Sequence, residues 1–221
     1  MKQTSKKKWN DYAVASLVKI IPPSNNTYVT TICDLLWELY NCKERHYHTS
    51  YHITWMFDKA KEMGLKMSVE QELAILFHDA VYTPGAPVPK NEEASAGLMR
   101  CLLSTPLYGN KNEAERMEIL FSASNIIGAT ALHFNPNPGL CQMEEGAELV
   151  LDLDLANLGS PYKEFCEWGN AVMLEIPEAT IEGRKKFLKS LLKREQIFLT
   201  EEFVEIEKSA RENIQRWIDE N

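Results

Sequence analysis

The chain has 221 residues, of which 44% are hydrophobic and 25% are charged, the composition of a globular protein with one sizeable core. Its formal net charge of -8 argues against non-specific nucleic-acid binding, because such binding depends on lysine and arginine side chains that neutralise phosphates. No apolar h-region follows the basic start of the sequence, so we expect no signal peptide, and no run of about 20 apolar residues occurs, so we expect no membrane span.

The cysteines indicate a reducing environment. There are five of them, an odd number, and no pair has the Cys-x-x-Cys spacing. This argues against a disulfide framework and against a zinc site built from thiolates. We therefore expect a cytoplasmic protein.

Helical periodicity dominates from residue 9 onward, whereas residues 1–8 are predicted to form a flexible basic tail. Two proline-rich stretches, 83–91 and 134–139, interrupt the helices. Seven of the predicted helices have both ends assigned: 9–20, 48–63, 91–103, 112–133, 146–158, 162–176 and 177–198. Three more are predicted from one signal each: the second helix starts at 26 or 27, the fourth starts after Ser68 and ends near LFHDAVY, and Thr200 caps the last one.

These elements predict a single all-α domain over residues 1–221, a multi-helix bundle without a linker, a repeat or a convincing strand. Two helix starts have specific signals. Ser68 and Gln71 match a capping box, and Asn91, followed by two glutamates, is predicted to cap the fifth helix. The last helix has an apolar face that includes Trp217, which suits packing between subunits of a homo-oligomer.

Histidines gather at the ends of apolar helices. His78 and Asp79 close a buried run, where an acid is disfavoured by the helix dipole and therefore needs a compensating partner. His48 and His52 are four residues apart and share a helix face. His133 ends another apolar helix. Side chains in such positions can converge at one end of a bundle.

Two aspartates lie inside the leucine-rich stretch LVLDLDLANLG. Burial of an unpaired carboxylate is costly. We therefore expect that one of the two faces water, that Asp152 pairs with an arginine, or that one of the aspartates binds a metal ion. Two neutral imidazoles and two carboxylates make a mixed nitrogen and oxygen site that suits one divalent transition metal, namely Mn, Fe, Co, Ni or Zn, with Mg as an alternative.

The order of these motifs resembles the HD superfamily of metal-dependent phosphohydrolases. The resemblance covers about residues 9–217 and implies an HD-domain-like fold. It rests on five blocks in order, RHYHTSYHI, LAILFHDAVY, NEEASA, ALHF and LDLDLANLG. The metal ligands that it implies are His52, His78, Asp79 and Asp154, with Asp152 as the competing choice for the last one.

The same resemblance bears on the number of metal ions. Many two-metal HD proteins carry another histidine near the start of the helix after the HD pair. This chain has Asn91 and Glu92 in that region, which favours one metal ion. One ion weakens the case for cyclic-dinucleotide phosphodiesterase or diiron oxygenase chemistry.

The resemblance implies hydrolysis of a phosphate ester through a metal-activated water. Arg45, beside the histidine cluster, is the first candidate for contact with the anionic substrate. His48 is predicted to donate to a phosphate oxygen or to act as general acid, and Glu92 to orient or deprotonate water. The predicted substrate-binding residues are Arg45, Tyr47, His48, Tyr82, Asn91, His133 and Arg184.

We therefore predict a phosphohydrolase of the phosphomonoesterase, nucleotidase or pyrophosphohydrolase type that acts on a nucleotide or another small phosphate ester. The alternative is a non-catalytic module that keeps the HD metal site and binds a nucleotide or a partner. A diiron oxygenase on the same scaffold is a further option, and it requires a second metal ion.

Overall fold

Ten α-helices make up most of the residues that this computed structural model describes, which are 3–104, 112–135 and 137–221. No strand occurs within these ranges, so the predicted all-α class is confirmed. The helices are α1 (Lys6–Leu17), α2 (Asn26–Tyr40), α3 (Ser50–Glu62), α4 (Val69–Phe77), α5 (Lys90–Leu103), α6 (Glu113–Ala129), α7 (Ala147–Leu155), α8 (Tyr162–Glu175), α9 (Ile181–Leu192) and α10 (Val204–Glu220).

Helix α4 lies at the centre of the bundle, where it packs against α1, α3, α5, α6 and α7. Its residues from Leu73 to Phe77 have no exposed surface. Because each large apolar side chain contributes about 1.5–3 kcal/mol when buried, the core fixes the end of α4. The predicted capping box is confirmed, since Gln71 N donates to Ser68 Oγ (3.3 Å) and Ser68 N to Gln71 Oε1 (2.8 Å).

The start of the chain differs from the prediction. Residues 1–8 were expected to form a flexible tail, but α1 already begins at Lys6. Ser5 caps this helix by accepting from Lys8 N at 3.2 Å, and Lys6 Nζ lies 2.8 Å from a carboxylate oxygen of Asp34 on α2. The Ser5 cap thus starts the first helix at Lys6, three residues before the predicted start at residue 9. The first two residues, and Pro136 in the second proline-rich stretch, lie outside the described residues.

Two predicted helices end in tighter turns. The predicted helix 112–133 continues beyond α6 as the 3-10 turn Thr130–Phe134, and the predicted helix 146–158 continues beyond α7 as the 3-10 turn Ala156–Gly159. A 3-10 turn has three residues per turn and changes the direction in which side chains point. The first of these turns carries His133.

Helix α9 is shorter at both ends than the predicted helix 177–198. At its start, Glu178 has a left-handed φ of 59°, and Thr180 caps the helix by accepting from Gly183 N at 3.0 Å. Beyond its end, the carboxylate of Glu207 accepts from Ile197 N at 3.0 Å. That N–H group is therefore bound outside the helical pattern.

Helix α10 closes the fold with its apolar face inward. Ala210, Ile214 and Trp217 are buried within the chain. Asn213 Nδ2 donates to Leu158 O at 2.8 Å, which ties α10 to the turn that follows α7. The face that we expected to pack between subunits thus packs inside the chain. Within the described ranges, no helix combines the length and the hydropathy that a bilayer span requires.

Gly159, in the turn Ala156–Gly159, allows α10 to approach closely. A Cβ atom at this position would lie 2.1 Å from Ile206 Cγ2 and 3.1 Å from Ile206 O. We expect Gly159→Ala to lower the free energy of unfolding by about 1–3 kcal/mol, because the added methyl group overpacks this contact. Denaturant unfolding measures the change.

Gly97 provides the matched control, because it lies inside α5 and a Cβ atom there meets nothing within 4 Å. Gly97→Ala should raise the stability by about 0.5–1 kcal/mol, since alanine favours the helix. Equal effects of the two substitutions would contradict the role given to Gly159.

Candidate metal centre

Three helices place the predicted metal ligands at one end of α4. His52 lies on α3 and Asp154 on α7. His78 is the C-cap residue of α4, and Asp79 follows it. Because α3, α4 and α7 pack against one another, residues far apart in the sequence meet inside the bundle. Both histidines are buried.

A compact group forms from His52, His78 and Asp154, whose ligand atoms all lie within 4.8 Å of one another. His52 Nε2 is 2.8 Å from Asp154 Oδ1, and His78 Nε2 is 3.8 Å from the same oxygen. Two imidazole nitrogens and a carboxylate oxygen are a ligand set that divalent transition metals accept. This group could hold a metal ion.

Asp79 faces the same group from the end of α4. Its Oδ2 atom is 2.9 Å from His78 Nε2 and 4.0 Å from His52 Nε2. Burial raises the pKa of Asp79, but the charges of His78 and His48 lower it more, so the pKa lies well below its usual range. The fourth predicted ligand is therefore an ionised carboxylate beside the other three.

The hydrogen bonds of His78 fit metal binding. Its Nδ1 donates to Ile75 O at 3.0 Å, which fixes the orientation of the ring and turns Nε2 toward the carboxylates. Within the described part of the chain, neither His78 Nε2 nor His52 Nδ1 has an aligned hydrogen-bond partner. Burial lowers the pKa of His78, but the charge of Asp79 raises it on balance, to about 9. A metal ion that binds here displaces a proton.

Asp152, the competing choice for the last ligand, binds the backbone before α10 and lies outside the group. Its carboxylate accepts from Leu199 N at 2.8 Å, from Thr200 N at 2.8 Å and from Thr200 Oγ1 at 2.7 Å. Residues two apart on a helix point about 200° apart, so Asp152 and Asp154 serve opposite sides of α7. Burial raises the pKa of Asp152 to about 6. The hydroxyl of Thr200, predicted to cap the last helix, binds Asp152 instead.

His133 joins the group through Asp154. Its Nε2 lies 2.8 Å from Asp154 Oδ2, so this carboxylate stands between His133 and His52. Burial raises the pKa of Asp154, but hydrogen bonds from both histidines lower it more, well below the usual range. Arg194 Nη2 donates to His133 O at 2.6 Å and holds the turn in place.

Arg45 binds backbone carbonyls. Its Nη1 donates to His48 O (2.8 Å) and Asp79 O (2.6 Å), and its Nη2 donates to Ala80 O (2.9 Å). Its guanidinium carbon lies 5.1 Å from the centre of the Tyr40 ring. Arg45, predicted to contact substrate, thus supports the backbone after α4.

Sequence reasoning missed Glu175, which holds the segment 46–48 from the end of α8. Glu175 Oε1 accepts from the backbone N–H groups of this segment, at 2.5 Å from His46 and 3.0 Å from His48. Its Oε2 contacts His48 Nδ1. Burial raises the pKa of Glu175, but the hydrogen bond and charge of His48 lower it below its ordinary value. The only signal in the sequence is an acid inside the apolar run AVMLEI.

A cavity of about 630 Å³ opens beside the group. The ring of Tyr82 lies 4.1 Å from that of His48, and Tyr47 Oη accepts from Asn157 Nδ2 at 2.6 Å. Asn91 does not cap α5, because that helix begins at Lys90 and the Asn91 side chain pairs with the backbone of Thr83. The predicted site residues that line the cavity are Tyr47, His48, Asp79, Tyr82, Asn91, Glu92, His133, Asp154 and Arg184.

No protein-family model, no curated protein and no solved structure matches the chain. The molecule is an all-helical bundle with a buried His–His–Asp group at the side of a large cavity. Its function must therefore be argued from the side chains that the fold brings together.

Asp152 and Asp154 give a matched pair for a test of the metal centre. Asp154→Ala should abolish stoichiometric metal binding, because it removes one oxygen ligand from the group. Asp152→Ala should keep the metal and lower the free energy of unfolding by about 1–3 kcal/mol, because it leaves buried N–H groups without an acceptor. Elemental analysis and denaturant unfolding measure the two effects, and a reversed pattern would contradict the assignment.

Glu175→Gln should lower the free energy of unfolding by about 3 kcal/mol at neutral pH, because it breaks a buried charged pair. The pKa of Glu175 is depressed below its ordinary 4.5, so this stabilisation is present above that value and is lost as the pH falls through the folded pKa. The pKa of His48 is raised, because the charge of Asp79 and the contact with Glu175 outweigh burial. The stabilisation that protonated His48 contributes is present at lower pH and is lost as the pH rises through this raised pKa.

Unfolding curves over a pH series measure this profile. The control is Glu167→Gln on the same helix, since Glu167 is half exposed and its Lys163 partner is 3.9 Å away. That substitution should change the stability by less than about 1 kcal/mol. A loss of stability in Glu175→Gln that persists at acid pH would contradict the ion-pair explanation.

Proposed function

We propose that the protein is a metal-dependent phosphohydrolase of the HD superfamily that acts on a nucleotide or another small phosphate ester. The observation that carries this proposal is the buried group of His52, His78 and Asp154, with Asp79 beside it, at the side of a cavity large enough for such a substrate. The order of the H, HD and D motifs along the chain supports the same reaction class.

The metal ion would be held by His52, His78, Asp79 and Asp154. When bound, it supplies a Lewis acid for the phosphoryl oxygens and lowers the pKa of water. The side chains around it are already held in place. His78 Nδ1 donates to a backbone carbonyl, and the Asp154 carboxylate accepts from both His133 and His52. Such outer contacts orient the ligands of a metal site.

His48 is the general acid in this proposal. Its Nδ1 is bound to Glu175, so the nitrogen left for substrate is Nε2, and the side chain lines the cavity. The nearby carboxylates and the Glu175 contact favour the protonated imidazole, and the net effect raises the pKa of His48 against the effect of burial. A protonated His48 can donate to the leaving oxygen of the ester, and Glu175 keeps its ring in place.

Two other predicted residues take different parts. Glu92 lies in the first turn of α5 and lines the cavity, so its carboxylate is available to orient or deprotonate water. Arg45 acts through the backbone, because its donors hold the carbonyls of His48 and Asp79 in place. We also propose a reducing, cytoplasmic location, which the five free cysteines support.

The test combines metal analysis with a screen of nucleotides and phosphate monoesters in the presence of Mn²⁺, Co²⁺ or Ni²⁺. We expect about one metal ion per chain and turnover of at least one ester. His48→Gln should keep the metal and lower kcat by about 100-fold to about 10,000-fold, because general acid catalysis contributes on that scale.

The control is His46→Gln, since His46 has an exposed side chain in the same segment. It should leave kcat within about twofold of the wild type. Absence of turnover with every ester, despite a loaded metal site, would favour a non-catalytic binding module. Two metal ions per chain, especially iron, would favour oxygenase chemistry.

A further inference from the structure

Arg184 lies in the wall of the cavity, in the first turn of α9. Its guanidinium carbon is 4.9 Å from the centre of the Trp217 ring and 5.7 Å from that of Phe165. Gly169 leaves room for it, because a Cβ atom at that position would lie 1.8 Å from Arg184 Nη2. The guanidinium is thus held between aromatic rings and the backbone of α8.

This cation has no acidic partner in the part of the chain that the structure describes. No ion pair joins it to a carboxylate there, and its Nε atom is buried without a hydrogen-bond partner. Burial lowers the pKa of Arg184, and the groups that act against this are Cys166 and Tyr47, neither of which is a carboxylate. By contrast, Arg211 Nε donates to Glu207 Oε1 at 2.5 Å.

The position of Arg184 in its helix adds to the cost. The first turn of an α-helix is the positive end of the helix dipole, where a cation is disfavoured. Arg184 is partly buried, and partial removal of a charge from water without a counter-ion is disfavoured as well. An anion bound in the cavity beside Arg184 would offset both of these costs. Arginine suits this role, because its planar fork matches carboxylate and phosphate oxygens.

We propose that Arg184 is an anion subsite, and that the substrate carries a second anionic group in addition to the phosphate at the metal centre. This inference rests on the proposed function for that phosphate. The second group is a carboxylate or another phosphate, since both offer the oxygens that a guanidinium binds. Between the two ends, the substrate packs against apolar walls formed by Phe165, Trp168, Val172, Phe187 and Leu188.

The test measures binding of non-hydrolysable probes to the full chain by isothermal titration calorimetry, with Mn²⁺ and with a chelator. The probes are alkylphosphonates of increasing chain length, each compared with the matching ω-carboxyalkylphosphonate and α,ω-bisphosphonate. At the chain length that spans the cavity, a second anionic group should tighten binding about tenfold to about a hundredfold, the range for a charge-assisted contact. The carboxylate and bisphosphonate arms identify which anion Arg184 prefers.

Three variants assign this gain to Arg184. Arg184→Met should abolish the gain in affinity, although the methionine side chain still packs against Trp217 and Phe165. Arg184→Lys should keep part of the gain. Arg216→Met is the control and should keep all of it, because Arg216 is exposed and lies 2.7 Å from Glu220 Oε1. Thermal unfolding checks that each variant is folded.

Equal affinity of the wild type for both members of every pair, or an unchanged gain in folded Arg184→Met, would overturn the anion subsite. If esters are hydrolysed while the probes show no gain, the subsite fails and the phosphohydrolase proposal stands. If no ester is hydrolysed but ω-carboxylates still bind in an Arg184-dependent way with the chelator present, the subsite stands and the phosphohydrolase proposal fails.

Discussion

A helix that ends inside a protein leaves carbonyl groups without partners along its own axis. At the end of α4 the last three helical carbonyls, those of Ile75, Leu76 and Phe77, each accept a hydrogen bond from a side chain or from the following turn. The side-chain donors are the His78 imidazole for Ile75 O, the Tyr40 hydroxyl for Leu76 O and the Arg45 guanidinium for Asp79 O and Ala80 O. Because His78 Nδ1 serves the backbone, its Nε2 is presented to the carboxylates. These donors stabilise the backbone around His78 and Asp79, and they set the orientation of the His78 ring.

Two charged side chains hold the segment 45–48 in place: its own Arg45, and Glu175 from α8. Arg45 extends from it to the backbone after α4, while its N–H groups donate to Glu175 at the end of α8. Neither contact depends on an exposed ion pair, which would be worth little. The segment therefore links α4 to α8 and holds His48 beside the cavity before any ligand is present.

The sequence allowed good predictions where local periodicity decides the outcome. The helices and the Ser68 capping box follow from apolar spacing and from a cap signal. The preference for Asp154 over Asp152 came instead from the family resemblance, and Asp154 is the aspartate that lies in the group with His52 and His78, while Asp152 binds Leu199 N. Contacts between distant residues were not predictable in this way. Glu175 lies more than 120 residues from the N–H groups that it accepts, and Arg45 was assigned to substrate because nothing in its neighbourhood reveals the carbonyls that it binds.

Helix α7 has a property that follows from its two aspartates. On one side, Asp154 belongs to the His52–His78–Asp154 group, which could hold a metal ion. On the other side, the carboxylate of Asp152 accepts from the backbone N–H groups of Leu199 and Thr200, just before α10. A ligand that binds only the ordered form of α7 stabilises everything attached to that form, by an amount set by its concentration and affinity. Binding of an ion to the His52–His78–Asp154 group should therefore slow the amide hydrogen exchange of Leu199 and Thr200, near the C-terminal end of the chain. By reciprocity, a change that loosens the C-terminal helix would lower the affinity of this group for an ion, without removing any ligand.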